Sequence, residues 1–140
     1  MNIEPKYEEH LPKVLIVDDT KSVRDFYSRF LRKEGFKVDE AVDGKQGLEK
    51  ITNGDYIACI VDGEMPRMSG IDMLKNIQFH QIYKIFNSGN PELIKQAEKE
   101  DIADVCFNKP FSLSEMLSHV NYAVHVAETE LIVANEPEYF

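Results

Sequence analysis

Along this chain, short all-apolar runs take turns with stretches whose apolar residues recur at helical spacing. Val14-Leu15-Ile16-Val17 and Ile57-Ala58-Cys59-Ile60-Val61 are apolar without interruption, the form of strands buried on both faces of a parallel sheet. Ile82 to Phe86 and Val105 to Phe107 predict two further strands, and the alternation from Phe36 to Ala41 suits an edge strand. Val23, Phe26, Tyr27, Phe30 and Leu31 fall at i, i+3, i+4, i+7 and i+8, predicting one buried stripe on helix 1, with Gly35 as its C′ residue. Asp43 is expected to cap helix 2, which holds Leu48 and Ile51 and ends at Asn53-Gly54. Helix 3 follows Pro66 with Met68, Ile71, Leu74 and Ile77, and Pro91 opens helix 4 at its first turn. Ser112-Leu113-Ser114-Glu115 has the form of a capping box for helix 5.

Five strands alternating with five helices predict an α/β fold. The expected form is a doubly wound parallel sheet with right-handed crossovers and helices on both faces. Residues 1–12 read as a polar lead-in and 13–127 as the domain, with 128–140 as a continuation of helix 5 or an acidic tail. Two features support the continuation. No Gly or Pro lies between Leu113 and Glu136, and Leu113, Val120, Ala127 and Ala134 alternate with Leu117, Val124 and Leu131 in a 4-3 pattern. Helix 5 is therefore expected to run to about Ala134, stopping before Pro137, and to offer a second copy or another protein a seam around Leu131. Glu128, Glu130, Glu136 and Glu138, with no basic residue among them, support the tail instead.

Composition narrows the setting. A chain of 140 residues with a net charge of −9 and no Lys/Arg run is not expected to bind nucleic acid or an anionic membrane directly. No stretch is long enough to span a bilayer, and the first residues lack the form of a signal peptide. Cys59 and Cys106 both fall in expected strands and read as small buried hydrophobes. A cytoplasmic protein fits these features. The four histidines lack metal-ligand spacing.

The chemistry lies where the strands stop. Asp18 and Asp19 leave strand 1, Asp62 leaves strand 3, Ser88 leaves strand 4 and Lys109 leaves strand 5. In such sheets the ligand site lies beyond the carboxyl ends of the strands, so these side chains converge. Three neighbouring carboxylates repel one another and call for a cation; an all-oxygen set favours a hard divalent ion such as Mg²⁺. Adding an ammonium and a hydroxyl makes a cradle for a phosphoryl group, with Asp62 the candidate nucleophile. Each residue also has a plain reading: Asp19 or Thr20 as a helix cap, Ser88 as a turn residue, Lys109 as a solvated lysine. Their joint placement at the ends of four strands favours the chemical one.

Val14-Leu15-Ile16-Val17-Asp18-Asp19, the stretch from Val61-Asp62 to Ser69-Gly70, Ser88-Gly89 and Lys109-Pro110-Phe111 together resemble the receiver domain of two-component response regulators, over roughly residues 13–127. The resemblance implies the flavodoxin-like strand order 2-1-3-4-5. It implies a phosphoacceptor at Asp62, and Mg²⁺ held by Asp18, Asp19, Asp62 and the backbone carbonyl of Glu64. It also implies phosphoryl contacts from Ser88 and Lys109, with a sensor histidine kinase or phosphotransfer protein as donor and a downstream protein as target. The side chain of Glu64 stands where the family tunes phosphoryl lifetime. The chain departs from the pattern at Cys106, where the family usually has Tyr or Phe, and at Asp101-Ile102-Ala103, where a glycine is usual. Phe107 is expected to face the other side of the sheet, so the response is expected to rest on Ser88 and the Gly89-Asn90 loop. Such a module is not an enzyme with an external product. The alternatives are a Mg²⁺-dependent aspartyl-phosphate phosphohydrolase and an unphosphorylated scaffold of the same fold.

Overall fold

The computed structural model describes residues 11–135. Most of the expected lead-in, and the last five residues with Glu136, Pro137 and Glu138, lie outside the described residues. Strands β1 (Lys13–Val17), β2 (Lys37–Ala41), β3 (Ala58–Asp62), β4 (Tyr83–Ser88) and β5 (Val105–Asn108) alternate with helices α1 (Lys21–Lys33), α2 (Gly44–Asn53), α3 (Gly70–Asn76), α4 (Pro91–Glu100) and α5 (Leu113–Asn135). All pairings are parallel, and the sheet order is β2-β1-β3-β4-β5. The doubly wound expectation holds, with the alternating strand β2 at one edge.

Because the sheet carries helices on both faces, its apolar runs divide by parity between two cores. Leu15, Val17, Cys59, Val61 and Phe86 pack with Ile51, Ile71, Met73, Leu74 and Ile94 on the α2–α3–α4 side. Val14, Ile16, Ala58, Ile60 and Ile85 pack with Leu31, Met116, Val120 and Ala123 on the α1–α5 side.

Most expected caps form. The Asp43 carboxylate accepts from the Gln46 N–H at 2.8 Å, and Ser112 Oγ accepts from the Glu115 N–H at 3.0 Å. Gly35, at φ +96, closes α1, whereas Gly54 follows α2 in an extended conformation. Neither Asp19 nor Thr20 caps α1 with its side chain: Thr20 is the N-cap residue but makes no side-chain cap bond. At the turn without a glycine, Asp101 itself takes the left-handed conformation (φ 51), a region that aspartate enters more readily than most residues.

One expectation needs correction. On α1, Leu31 is buried and Tyr27 and Phe30 pack against the same core, but Phe26 is 59% exposed and Ser28 is buried in its stead. The buried face of α1 is rotated from the one that hydrophobicity alone selects. Along α5, Leu113, Leu117, Val120 and Val124 pack against the domain's own sheet, whereas the part beyond Ala127, around Leu131, is exposed. α5 includes residues 128–135.

Candidate functional site

Asp18 follows β1 directly, and its N–H donates to the Ala41 carbonyl at 3.1 Å, extending the ladder by one residue. Its carboxylate is buried and accepts from the Thr20 N–H at 2.8 Å. The Arg24 guanidinium, one turn into α1, donates to the Asp18 carbonyl at 2.8 Å and pairs with Glu40 at 3.2 Å. Arg24 thus braces the aspartate from behind, a contact that spacing along the chain does not announce.

Asp62 ends β3 in register with Asn87 of β4, and it too is buried. The acceptor oxygens of Asp18, Asp19 and Asp62 lie within 4.8 Å of one another, with Asp19 on the exposed side. Lys109 Nζ lies 2.9 Å from Asp62 Oδ1 and 3.7 Å from Asp18 Oδ2. Burial pushes the Asp62 carboxyl above its ordinary pKa and the Asp18 charge adds to this, while Lys109 and the Glu64 N–H act the other way. Burial alone would lower the Lys109 pKa, but Asp62 outweighs it and holds the ammonium above its ordinary value. The net environment is one of excess negative charge in a partly dry pocket, a setting that favours a cation.

Ser88 ends β4, fully buried, with its hydroxyl accepting from the Asn90 N–H at 3.0 Å. Gly63 is packed against it: a Cβ there would stand 3.0 Å from Ser88 Cβ and 2.8 Å from Phe86 Cζ. Gly89 is exposed and has open space around its α-carbon, and the Glu64 side chain also faces solvent.

Two features around the site escaped the sequence reading. A Cβ at Gly70 would collide with the Asp62 carbonyl oxygen, so only glycine lets the start of α3 approach the end of β3 this closely. The loop between them is also tied to α2, through Gly44 N–H to the Met68 carbonyl at 3.1 Å and Arg67 Nε to Asp43 Oδ2 at 2.6 Å. Tyr27 is the second: its half-buried ring lies 5.9 Å from Phe111, and its hydroxyl feels Lys109, Asp18 and Asp62. Its sequence signal was apolar periodicity, which is blind to a hydroxyl at the tip.

Cys106 and Phe107 lie on opposite faces. Cys106 borders the α2–α3–α4 core, while Phe107 stacks on Phe111 at 4.8 Å and meets His119 edge-on at 5.2 Å. No helix among the described residues is long and apolar enough to cross a membrane.

Residues 14–121 match the sequence model of the response regulator receiver domain. The transcriptional regulatory protein DltR of Streptococcus agalactiae is 30% identical over 127 residues, which is 89% of this chain and 56% of that protein. A CpxR homolog from Haemophilus influenzae is 33% identical over 119 residues, or 79% of this chain and 49% of its own length. The chain therefore spans about half the length of the curated relatives it matches. Among solved structures, a CheY-like receiver domain protein from Methanospirillum hungatei has a TM-score of 0.78 at 28% identity, covering 86% of this chain and 98% of that one. The response regulator TrrA of Thermotoga maritima, solved in complex with Mg²⁺ and BeF, has a TM-score of 0.73 at 26% identity, covering 81% of this chain and 99% of its own. A five-stranded sheet in this order, an acidic pocket at its carboxyl edge and this match have one common explanation: the chain belongs to the response regulator receiver domain family.

Proposed function

We propose that Asp62 is the phosphoacceptor of this receiver domain and takes its phosphoryl group from a phosphohistidine on a sensor histidine kinase or phosphotransfer protein. The supporting observation is the meeting of Asp62, Asp18 and Lys109 at one edge of the sheet, with a lysine ammonium 2.9 Å from the reactive carboxylate. In the transfer, a carboxylate oxygen of Asp62 attacks phosphorus, an O–P bond forms, the N–P bond breaks, and the histidine nitrogen leaves with its electron pair.

The residues fit a hard divalent cation, because three carboxylates offer clustered oxygen ligands in a pocket whose charge Lys109 compensates only in part. Asp18, Asp19, Asp62 and the backbone carbonyl of Glu64 would hold Mg²⁺, which, when bound, neutralises charge on the phosphoryl oxygens. Lys109 orients Asp62 and offsets charge on the transferred group. Ser88, placed at the end of β4, donates its hydroxyl to the phosphoryl oxygen once the Gly89-Asn90 loop yields. The exposed side chain of Glu64 sets how water reaches the aspartyl phosphate.

The product carries about 1.5 to 2 negative charges where a carboxylate stood, and that change drives a new partner surface. The domain's chemistry is confined to its own phosphorylation and dephosphorylation, in the cytoplasm, with a downstream protein as the reader of its state.

Incubation with a small acyl-phosphate donor tests the assignment by intact mass. The wild type gains one phosphoryl group only when Mg²⁺ is present, and Asp62→Asn gains none. Uptake by Asp62→Asn at the wild-type level overturns the assignment; multiple turnover of a phosphomonoester, lost in that variant, identifies a phosphohydrolase instead.

A further inference from the structure

Charge in this chain is segregated between two helices. α1 carries Lys21, Arg24, Arg29, Arg32 and Lys33 against one acid, Asp25, although the whole chain has a net charge of −9. After Lys109 there is no Lys or Arg at all, and the last turns of α5 bear Glu128 and Glu130. Three of the α1 bases have local partners: Lys21 with Asp25, and Arg24 and Arg32 with Glu40. Arg29 and Lys33 form no salt bridge among the described residues, and with Arg32 and the one acid Asp25, itself paired with Lys21, they line an open groove on the outer face of α1. Phe26, 59% exposed, lies three and seven residues before them, so one solvent-facing stripe presents an aromatic ring followed by two cations.

The end of α5 is the complement of that stripe. Leu131, Ile132 and Val133 are 64%, 63% and 63% exposed, with Glu128 four residues before Ile132 and Glu130 three before Val133. α1 and α5 pack side by side on one sheet face, and each runs back from the carboxyl edge. Arg32, Lys33 and the protruding end of α5 therefore share the edge opposite Asp18, Asp62 and Lys109. α5 leaves the sheet near Ala127 and Glu130, which border a cleft against Tyr83 and Lys84. Among the described residues neither Glu128 nor Glu130 forms a salt bridge with α1 of its own molecule, whose paired bases are held by Asp25 and Glu40.

We propose that the end of α5 docks on the outer face of α1 in a second copy of this chain, each copy giving one acidic arm and receiving another. The lengths agree: residues 127–135 span roughly 13 Å of helix and α1 roughly 20 Å. The arrangement is isologous, so the two contacts close on themselves. Pairing of α5 with α5 is the poorer alternative, since it would bring Glu128 and Glu130 towards their own copies with no base between them. The site edge stays open in the dimer.

Sedimentation of the 140-residue chain over a range of concentrations tests this. The wild type is expected to dimerise reversibly and to weaken as salt rises from about 50 mM to about 500 mM. Arg29→Glu with Lys33→Glu, and separately Glu128→Lys with Glu130→Lys, should each weaken self-association at least tenfold while melting near the wild type. An equimolar mixture of the two reversed proteins should form heterodimers, and all four changes in one chain should restore the dimer. A wild type that stays monomeric overturns the proposal. So does a dimer indifferent to the α1 reversals, or a mixture that fails to associate.

Discussion

Lys109 Nζ lies 2.9 Å from Asp62 Oδ1, so a residue at the end of an edge strand holds the carboxylate at the end of the central one. Forty-seven positions of chain separate them, and β4 lies between their strands. Lys109→Ala removes the cation and leaves two buried carboxylates facing each other. Phosphoryl uptake should fall by about 10²–10³, the usual loss when one charge-stabilising donor is removed. Mg²⁺ should bind at least as tightly as before, because the pocket has become more negative. Intact-mass kinetics and titration calorimetry separate the two effects; an unchanged rate contradicts the role.

Mg²⁺ should also stabilise the fold. A ligand bound only by the native state, at a hundred times its dissociation constant, adds about 2.7 kcal/mol. Denaturant unfolding with and without Mg²⁺ measures the increment, and Asp18→Asn should lose most of it. An increment preserved in Asp18→Asn would place the cation elsewhere.

Gly70 and Gly89 should respond oppositely to alanine. At Gly70 the added methyl meets the Asp62 carbonyl, and strain of this kind costs about 1–3 kcal/mol and displaces Asp62. At Gly89 nothing lies within 4 Å of the added Cβ, and the backbone is not left-handed. There alanine should be neutral, or stabilising by about 0.4–1 kcal/mol. Equal losses at both positions would show that the close approach at Gly70 is not what matters.

Asp43 supplies a pH-dependent part of stability. The Gln46 N–H, and after it the Arg67 guanidinium, hold its carboxyl below the ordinary value. A carboxyl lowered by folding adds stability that is present above its unfolded pKa and lost as pH falls through the folded one. Asp43→Ala should therefore cost about 1 kcal/mol at neutral pH, and the gap to the wild type should narrow below about pH 4. Urea unfolding at several pH values reads this; a gap that widens in acid has the wrong sign.

The switch should run through β4 rather than β5. Cys106 offers no ring to swing, and Phe107 is held on Phe111 and His119 across the sheet. Ser88, by contrast, needs only to exchange the Asn90 N–H for a phosphoryl oxygen. Amide exchange with and without beryllofluoride should change more at Ser88–Pro91 than at Val105–Phe107. Changes as large in β5 would show a second route.

The strand ends, and hence the carboxylates and lysine at them, were legible because a buried parallel strand is written locally. Its apolar run stops where the chain reaches the site, and Asp18, Asp62, Ser88 and Lys109 follow those stops. The caps at Asp43 and Ser112 were legible for the same reason, since donor and acceptor lie within one turn.

Whatever depends on a rotation or a distant neighbour was decided by the tertiary structure alone. Periodicity names the apolar residues of α1, but the crossing of α1 over the sheet chose Ser28 for the interior and left Phe26 outside. The 4-3 pattern of α5 could not say which of its residues the domain itself covers. Arg24 behind Asp18, Arg67 on Asp43 and Gly70 against the Asp62 carbonyl join residues that are apart in sequence. Hydrophobic patterning is a property of single positions, whereas these contacts depend on where two backbones come to lie once the sheet has closed.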